Sequence, residues 1–236
     1  MYKLNSDKEK ILANIEIILA SPAIPENIGL VARALKNTSF FNLSLVNPKL
    51  NAKSGEVAKK ARDLLKKAKV YNTLDEAIKP STFVFGASRR VREFKTIFNF
   101  NEIKHLIVAL ASSKKISIVF GNETFGLSRE ETDSCDSIFY IPANPSFSSY
   151  NLANAVGIVC YELFNLLDNT HSFASLNLAK RKEYEELFKY MKDNISSKLK
   201  KNRLGPTMHS LRRIFLRTHL TKNEASLLKS LFLKHL

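Results

Sequence analysis

Short stretches of this chain gather the residue types that hold and polarise a ligand. One is Gly121-Asn122-Glu123, followed by Gly126. A second runs from Ile141-Pro142 through Pro145 to Ser149, Tyr150, Asn151 and Leu152. A third is Gly86-Ala87-Ser88, followed at once by Arg89-Arg90. Asn27 and Arg33 lie near the N-terminus. Small residues let a ligand approach the backbone. Glu, Asn and Ser can fix it by hydrogen bonds, and arginines suit phosphate. No Gly-x-Gly-x-x-Gly occurs, which argues against a dinucleotide site. Cys135 and Cys160 lack metal-ligand spacing. Each candidate also has a plain reading. Arg33 suits a solvated surface, Asn27 an N-cap, and Arg89-Arg90-Val91-Arg92 a surface loop.

The elements that must position these residues are legible as alternating strands and helices. Ile15 to Ala20, Leu43 to Val46, Val70 to Leu74, Thr82 to Phe85, Ile116 to Phe120 and Ser137 to Ile141 read as strands. Ser21 to Asn27 is a Pro-containing turn. A helix then runs to about Thr38, with Ile28, Val31, Ala32 and Leu35 on one face and Arg33 roughly opposite. Glu56 to Lys69 reads as a basic amphipathic helix, whose charge run suits a solvated face or RNA. Asp75-Glu76-Ala77 is a short helix and Asn101 to Ser112 a longer one. Ser128 and Glu131 form a capping-box pattern, and a long helix starts at Asn151. Met1 to Lys10 is polar and reads as loose. The alternation predicts an α/β fold with a mostly parallel sheet. Two strand ends and a helix start then meet where open sheets bind ligands.

Composition narrows the class. The chain has 236 residues and is 44% apolar, with a net charge of +15. That suits a folded protein with an anionic partner, nucleic acid before a membrane surface. Residues 171–236 hold 15 Lys and Arg against 5 Asp and Glu, while residues 1–170 hold 22 against 17. The tail therefore carries two-thirds of the excess, and a boundary falls over Asp168 to Ala174. Leu178 to Met191 reads as a charged helix. A basic link follows, including Lys200, Lys201 and Arg203, ended by Gly205-Pro206. Thr207 to Leu220, which holds Arg212 and Arg213, and Asn223 to Leu236 read as a helical pair. Both cysteines read as reduced thiols of a cytoplasmic protein, Cys160 in the core. No apolar run is long enough to span a membrane, and MYKLNSDKEK lacks a signal peptide's apolar centre.

Three ordered motifs resemble the SpoU family of RNA ribose 2′-O-methyltransferases, in the SPOUT superfamily. The first is matched by Pro25-Glu26-Asn27-Ile28-Gly29, Ala32-Arg33 and Asn37. The second is matched by Phe120-Gly121-Asn122-Glu123 and Gly126-Leu127. The third is matched by Ile141-Pro142, Ser149-Tyr150-Asn151-Leu152, Ala155-Val156 and Tyr161-Glu162. Asn122 stands where close relatives often carry Arg, and Tyr150 where Leu is usual.

The resemblance implies an α/β sheet with helices on both faces, closed by a C-terminal trefoil knot through the loops after Phe85, Phe120 and Tyr140. It implies a methyltransferase domain over residues 1–170 and a basic helical extension over 171–236. It implies S-adenosyl-L-methionine as methyl donor, no metal and a homodimer in which Arg33 serves the donor held by the other subunit. Ala87, Ser88, Gly121, Glu123, Ile141, Pro142, Ser149, Tyr150 and Leu152 would form the donor pocket. Asn27, Glu123, Ser149 and Asn151 would orient Arg33 and the substrate. Arg33 would hold phosphate and stabilise a developing alkoxide, with the general base left open. Arg89, Arg90, Lys200, Lys201, Arg203, Arg212 and Arg213 would bind RNA. The tail resembles the branch that methylates the tRNA anticodon loop, which points to position 32. Ribosomal RNA is the alternative substrate, and an inactive RNA-binding module the alternative class.

Overall fold

The computed structural model describes residues 6–89, 96–168, 179–218 and 220–233. They form two compact units, one ending at residue 168 and one starting at 179. The first unit holds strands β1 (Ile15–Ala20), β2 (Asn42–Val46), β3 (Lys69–Tyr71), β4 (Phe83–Ala87), β5 (Ile97–Asn99), β6 (Ile116–Phe120) and β7 (Ser137–Tyr140). Its helices are α1 (Ser6–Ala13), α2 (Pro25–Asn37), α3 (Ala52–Ala58), α4 (Arg62–Lys67), α5 (Leu74–Ile78), α6 (Phe100–Ala111), α7 (Arg129–Asp133) and α8 (Leu152–Asp168). The strands form one parallel sheet in the order β3-β2-β1-β6-β4-β7-β5.

The central strands are buried on both faces, as their unbroken apolar runs require. Ile17, Ile18, Leu19, Ile118, Val119 and Phe120 are all 2% exposed or less. On one face Ile18, Val84, Val119 and Ile138 pack with Leu74, Ala77 and Ile78 of α5. On the other, Phe100 of α6 meets Phe139 with ring centroids 5.1 Å apart. Helix α8 packs on both α2 and α6. Wholly buried Cys160 belongs to α8, and burial pushes its thiol pKa up.

The sheet's register levels the strand ends that form the site. Ala87 lies beside both Phe120 and Phe139, and Leu19 beside Phe120. The chain therefore leaves β4, β6 and β7 side by side, at Ser88, Gly121 and Ile141. Gly121 is demanded by packing. A Cβ there would sit 2.2 Å from the Gly126 carbonyl carbon and the Leu127 nitrogen.

Several elements depart from the sequence reading. Ser6 to Lys10 is helical rather than loose, because Leu12 buries itself completely and draws α1 onto the unit. The helix read over Glu56 to Lys69 starts earlier, at Ala52, and breaks into α3, a 3-10 turn at Lys59–Ala61, and α4. Lys59 sits at φ 47° and ψ −116°, a positive-φ backbone outside the helical regions that ends α3. The edge strand β5 has no counterpart in the sequence reading. Asn27 is not an N-cap: α2 begins at Pro25, with Ile24 at the cap.

In the second unit, α9 (Arg181–Ser196) packs against α10 (Lys201–Thr218) and α11 (Lys222–Leu233). Tyr184, Leu187, Phe188 and Met191 form its buried stripe. The Tyr184 hydroxyl accepts a 2.6 Å bond from the Leu220 N–H. Gly205-Pro206, read as a stop, lies inside α10. Pro206 is the helix's sixth residue, so its missing N–H costs only the bond to Asn202.

Candidate active site

The ends of β4, β6 and β7 and the start of α8 enclose a cavity of about 580 Å³. Its walls include Ala87, Ser88, Gly121, Glu123, Ile141, Ser149, Tyr150 and Leu152, with Arg89 at the rim. Pro142 adjoins it, its carbonyl accepting a 3.0 Å bond from the Tyr150 hydroxyl. Tyr150 thereby ties the start of α8 back to the end of β7. The Ser88 N–H donates to the Phe139 carbonyl at 2.8 Å, fixing the β4 exit against β7. The cavity also takes in Phe120, Asn122, Phe125, Tyr140 and Ala155, which the sequence reading does not assign to the pocket. Phe120, Asn122 and Ala155 lie within the matched motifs, and Asn122 is also the polar residue between Gly121 and Glu123. It is 7% exposed, donates to the Ser21 carbonyl at 2.8 Å and accepts from the Thr124 N–H at 2.8 Å. It therefore links the exits of β1 and β6.

Beside the cavity lies a closed polar network. Asn27 Nδ2 donates to Glu123 Oε1 at 2.9 Å, and Asn151 Nδ2 donates to Asn27 Oδ1 at 2.9 Å. Glu123 also accepts from the backbone N–H groups of Ala23 at 2.8 Å and Ile24 at 3.2 Å. Helix α2 has no side-chain cap of its own. Glu123 supplies one from a distant part of the chain, placing a negative charge at the helix's positive end. Partial burial pushes the Glu123 carboxyl pKa up. The Asn27 amide and the Ala23 and Ile24 N–H groups outweigh this and hold it below the ordinary value. Asn151 Oδ1 accepts from the Ala153 N–H at 2.9 Å and so starts α8. The network thus joins the first turns of α2 and α8 to the exit of β6.

Arg33 stands apart from this network. It is exposed, does not line the cavity, and makes no hydrogen bond or ion pair among the described residues. Asn27 and Arg33 are six residues apart on α2, which places them about 120° apart around its axis. Asn27 faces Glu123 and Asn151; Arg33 faces outward.

The RNA candidates divide. Arg89, Lys200 and Arg203 are exposed, and Arg213 is half-buried. Arg212 is engaged within its own unit. It pairs with Glu185 and lies 4.9 Å from the centre of the Phe188 ring. Arg90 and the Lys201 side chain lie outside the described residues.

The sequence model of the SpoU rRNA methylase family matches residues 14–161, which hold the sheet, the cavity and the polar network. The chain belongs to that family. It is 35% identical over 229 residues to an uncharacterized tRNA/rRNA methyltransferase of Haemophilus influenzae, covering 94% of each chain. It is 32% identical over 237 residues to the tRNA (cytidine/uridine-2'-O-)-methyltransferase TrmJ of Escherichia coli, again covering 94% of each. The crystal structure of TrmJ from Z. mobilis superposes with a TM-score of 0.69 at 26% identity, covering 93% of this chain and 97% of that one.

The cavity suits S-adenosylmethionine. Its volume falls within the range of small-molecule sites, about 300–1,000 Å³. Leu152, Ala155 and Phe120 offer apolar surface for a purine, while the loop backbones at Ser88, Gly121 and Ile141 offer polar groups.

Proposed function

We propose that this protein transfers a methyl group from S-adenosylmethionine to a ribose 2′-hydroxyl of tRNA, at position 32 of the anticodon loop. The observation that carries this reading is the match to a tRNA 2′-O-methyltransferase along 94% of the chain. The intact Asn27–Glu123–Asn151 network supports it and weighs against an inactive module. The bound donor supplies an electrophilic methyl group. Ala87, Ser88, Gly121, Ile141 and Leu152 hold and orient it, and Tyr150 keeps the Pro142 loop closed over it. Asn27, Glu123 and Asn151 fix the starts of α2 and α8 relative to the cavity. Arg33 binds the phosphate beside the reacting ribose and stabilises negative charge as the hydroxyl loses its proton. A guanidinium is too basic to be the ready proton acceptor, so another group takes the proton.

Arg33 faces away from its own cavity, so we place it at the cavity of a second subunit in a homodimer. The loops after β4, β6 and β7 thread as a trefoil knot, a reading that rests on membership of the SpoU family. Residues 1–170 act as the methyltransferase domain. Residues 171–236 grip the tRNA body through Lys200, Lys201, Arg203 and Arg213. The enzyme works in the cytoplasm, without a metal. Methylation of ribosomal RNA is the second reading, favoured by the family's own description and the Haemophilus relative.

The test is transfer of labelled methyl groups to unmodified tRNA and ribosomal RNA transcripts, with the modified ribose mapped. Label at position 32 of tRNA is the expected result. Label confined to ribosomal RNA establishes the second reading, and no label with either RNA refutes both.

A further inference from the structure

The first unit concentrates its excess positive charge on one feature. Residues 52–69, which hold α3, the 3-10 turn and α4, carry seven Lys and Arg against two Asp and Glu. Residues 1–170 hold 22 against 17, so the remainder balances at 15 against 15. Lys59, Lys60, Lys66 and Lys67 are exposed. No ion pair engages their ammonium groups among the described residues.

This elbow is clasped to the side of α2 that carries Arg33. Glu26, Gly29, Arg33 and Lys36 recur at i, i+3, i+7 and i+10 and so form one stripe along the helix. Glu26 pairs with Lys53 at 3.3 Å. Gly29 lets α3 approach the α2 backbone, since a Cβ there would sit 2.4 Å from the Ser54 carbonyl oxygen. Lys36 Nζ donates to the Lys60 carbonyl at 2.7 Å and to Asp63 at 2.6 Å. Arg33 lies between these contacts. The bend at Lys59 is held by Arg62 Nε, which donates to the Gly55 carbonyl at 2.7 Å. The elbow therefore sets four exposed lysines beside an exposed arginine, none of them ion-paired among the described residues.

We propose that the α3–α4 elbow is a second RNA-binding surface, a track for the substrate's phosphate backbone that leads to Arg33. The proposal rests on the reading of the protein as a tRNA methyltransferase. Lysines act as point charges on phosphate and read no bases, so the track positions the RNA without selecting its sequence.

The test compares the full-length wild type with two variants, using a labelled tRNA transcript. The first variant is Lys59→Gln/Lys60→Gln/Lys66→Gln/Lys67→Gln. The second, Lys79→Gln/Lys115→Gln, removes exposed charge away from the elbow. The elbow variant should bind tRNA about tenfold more weakly at about 0.15 M salt. Its log–log salt slope should be shallower by about 0.7–0.9 for each lysine that sat on a phosphate. Its KM for tRNA should rise, with kcat at saturating tRNA and the Kd for S-adenosylmethionine unchanged. The second variant should bind as the wild type does. An elbow variant with wild-type affinity and slope overturns the proposal, as does an equal loss in the second variant. A wild type that methylates no tRNA refutes the function instead, and the binding comparison still decides the track.

Discussion

The two sides of helix α2 are built differently. Toward the cavity, Asn27 is 4% exposed and tied to Glu123 and Asn151, and Glu123 in turn caps the helix. Away from it, Arg33 is exposed and makes no bond among the described residues. One side is complete within a single chain, and its polar groups satisfy one another. The other offers an exposed cation with no partner among the described residues. Preorganisation beside the cavity thus coexists with incompleteness at the group expected to meet the RNA.

Arg33→Ala should break that comparison most sharply. We expect turnover to fall about 10²–10³-fold, the loss seen when one donor to a developing oxyanion is removed. Because Arg33 is exposed and not part of the core, Tm and S-adenosylmethionine affinity should stay near wild-type values. A variant that unfolds, or that keeps most of its turnover, contradicts the division of roles. Deleting residues from Leu176 onward should weaken tRNA binding and flatten its salt dependence, by about 0.7–0.9 for each phosphate no longer neutralised. Donor binding should persist, because every cavity residue precedes α9. Equal tRNA affinity and slope would return the second unit to a packing role. The mass of the truncated protein in solution must be measured alongside.

Smaller effects should appear on the satisfied side. Gly121→Ala should cost about 1–3 kcal/mol, since its Cβ meets backbone and not a yielding side chain. Thermal unfolding would show the loss, and calorimetry a weaker donor affinity. Glu123→Gln should cost about 1 kcal/mol by weakening the cap on α2. The wild-type contribution of Glu123 depends on pH in a defined sense. Its folded pKa lies below the ordinary 4.5. The stabilisation is therefore fully present above that value and is lost as pH falls through the folded pKa. Urea unfolding at pH 7 and at about pH 3.5 should show a gap between wild type and Glu123→Gln that narrows in acid. An unchanged gap would mean that the carboxylate's charge is not what holds the helix start.

The sheet was legible because its inner strands are short β-branched and aromatic runs closed by Gly, Pro or Asn. Ile116–Phe120 before Gly121 is the clearest. The edge strand β5 was not legible, since three residues at a sheet edge carry no periodic signal. Nor was the break at Lys59, because lysine does not advertise a positive-φ backbone. The cavity residues were found through motif order, and the loop spacing around Gly121 and Tyr150 brought most of them together. Asn27 at the helix start suggested a cap, but the true cap is Glu123, a tertiary interaction that local spacing cannot reveal. Arg212, placed among the RNA contacts through the tail's resemblance, pairs with Glu185 and lies over Phe188 in the fold. The 120° between Asn27 and Arg33 was implicit in their spacing, about 100° per residue. Its meaning emerged only once Glu123 fixed which side of α2 faces the cavity.

The central claim is that Arg33 of one subunit completes the cavity of the other, and a mixed dimer tests it directly. Arg33→Ala would be co-expressed with a chain whose cavity wall is disrupted by Gly121→Val, since the added side chain meets the Gly126–Leu127 backbone, and methyl transfer to tRNA measured. Each variant alone should be inactive. The mixture should recover about a quarter of wild-type activity, since half the dimers are mixed and each has one intact site. A mixture as inactive as its parents, with mixed dimers confirmed by tagged purification, would contradict the account and place Arg33 at its own subunit's cavity.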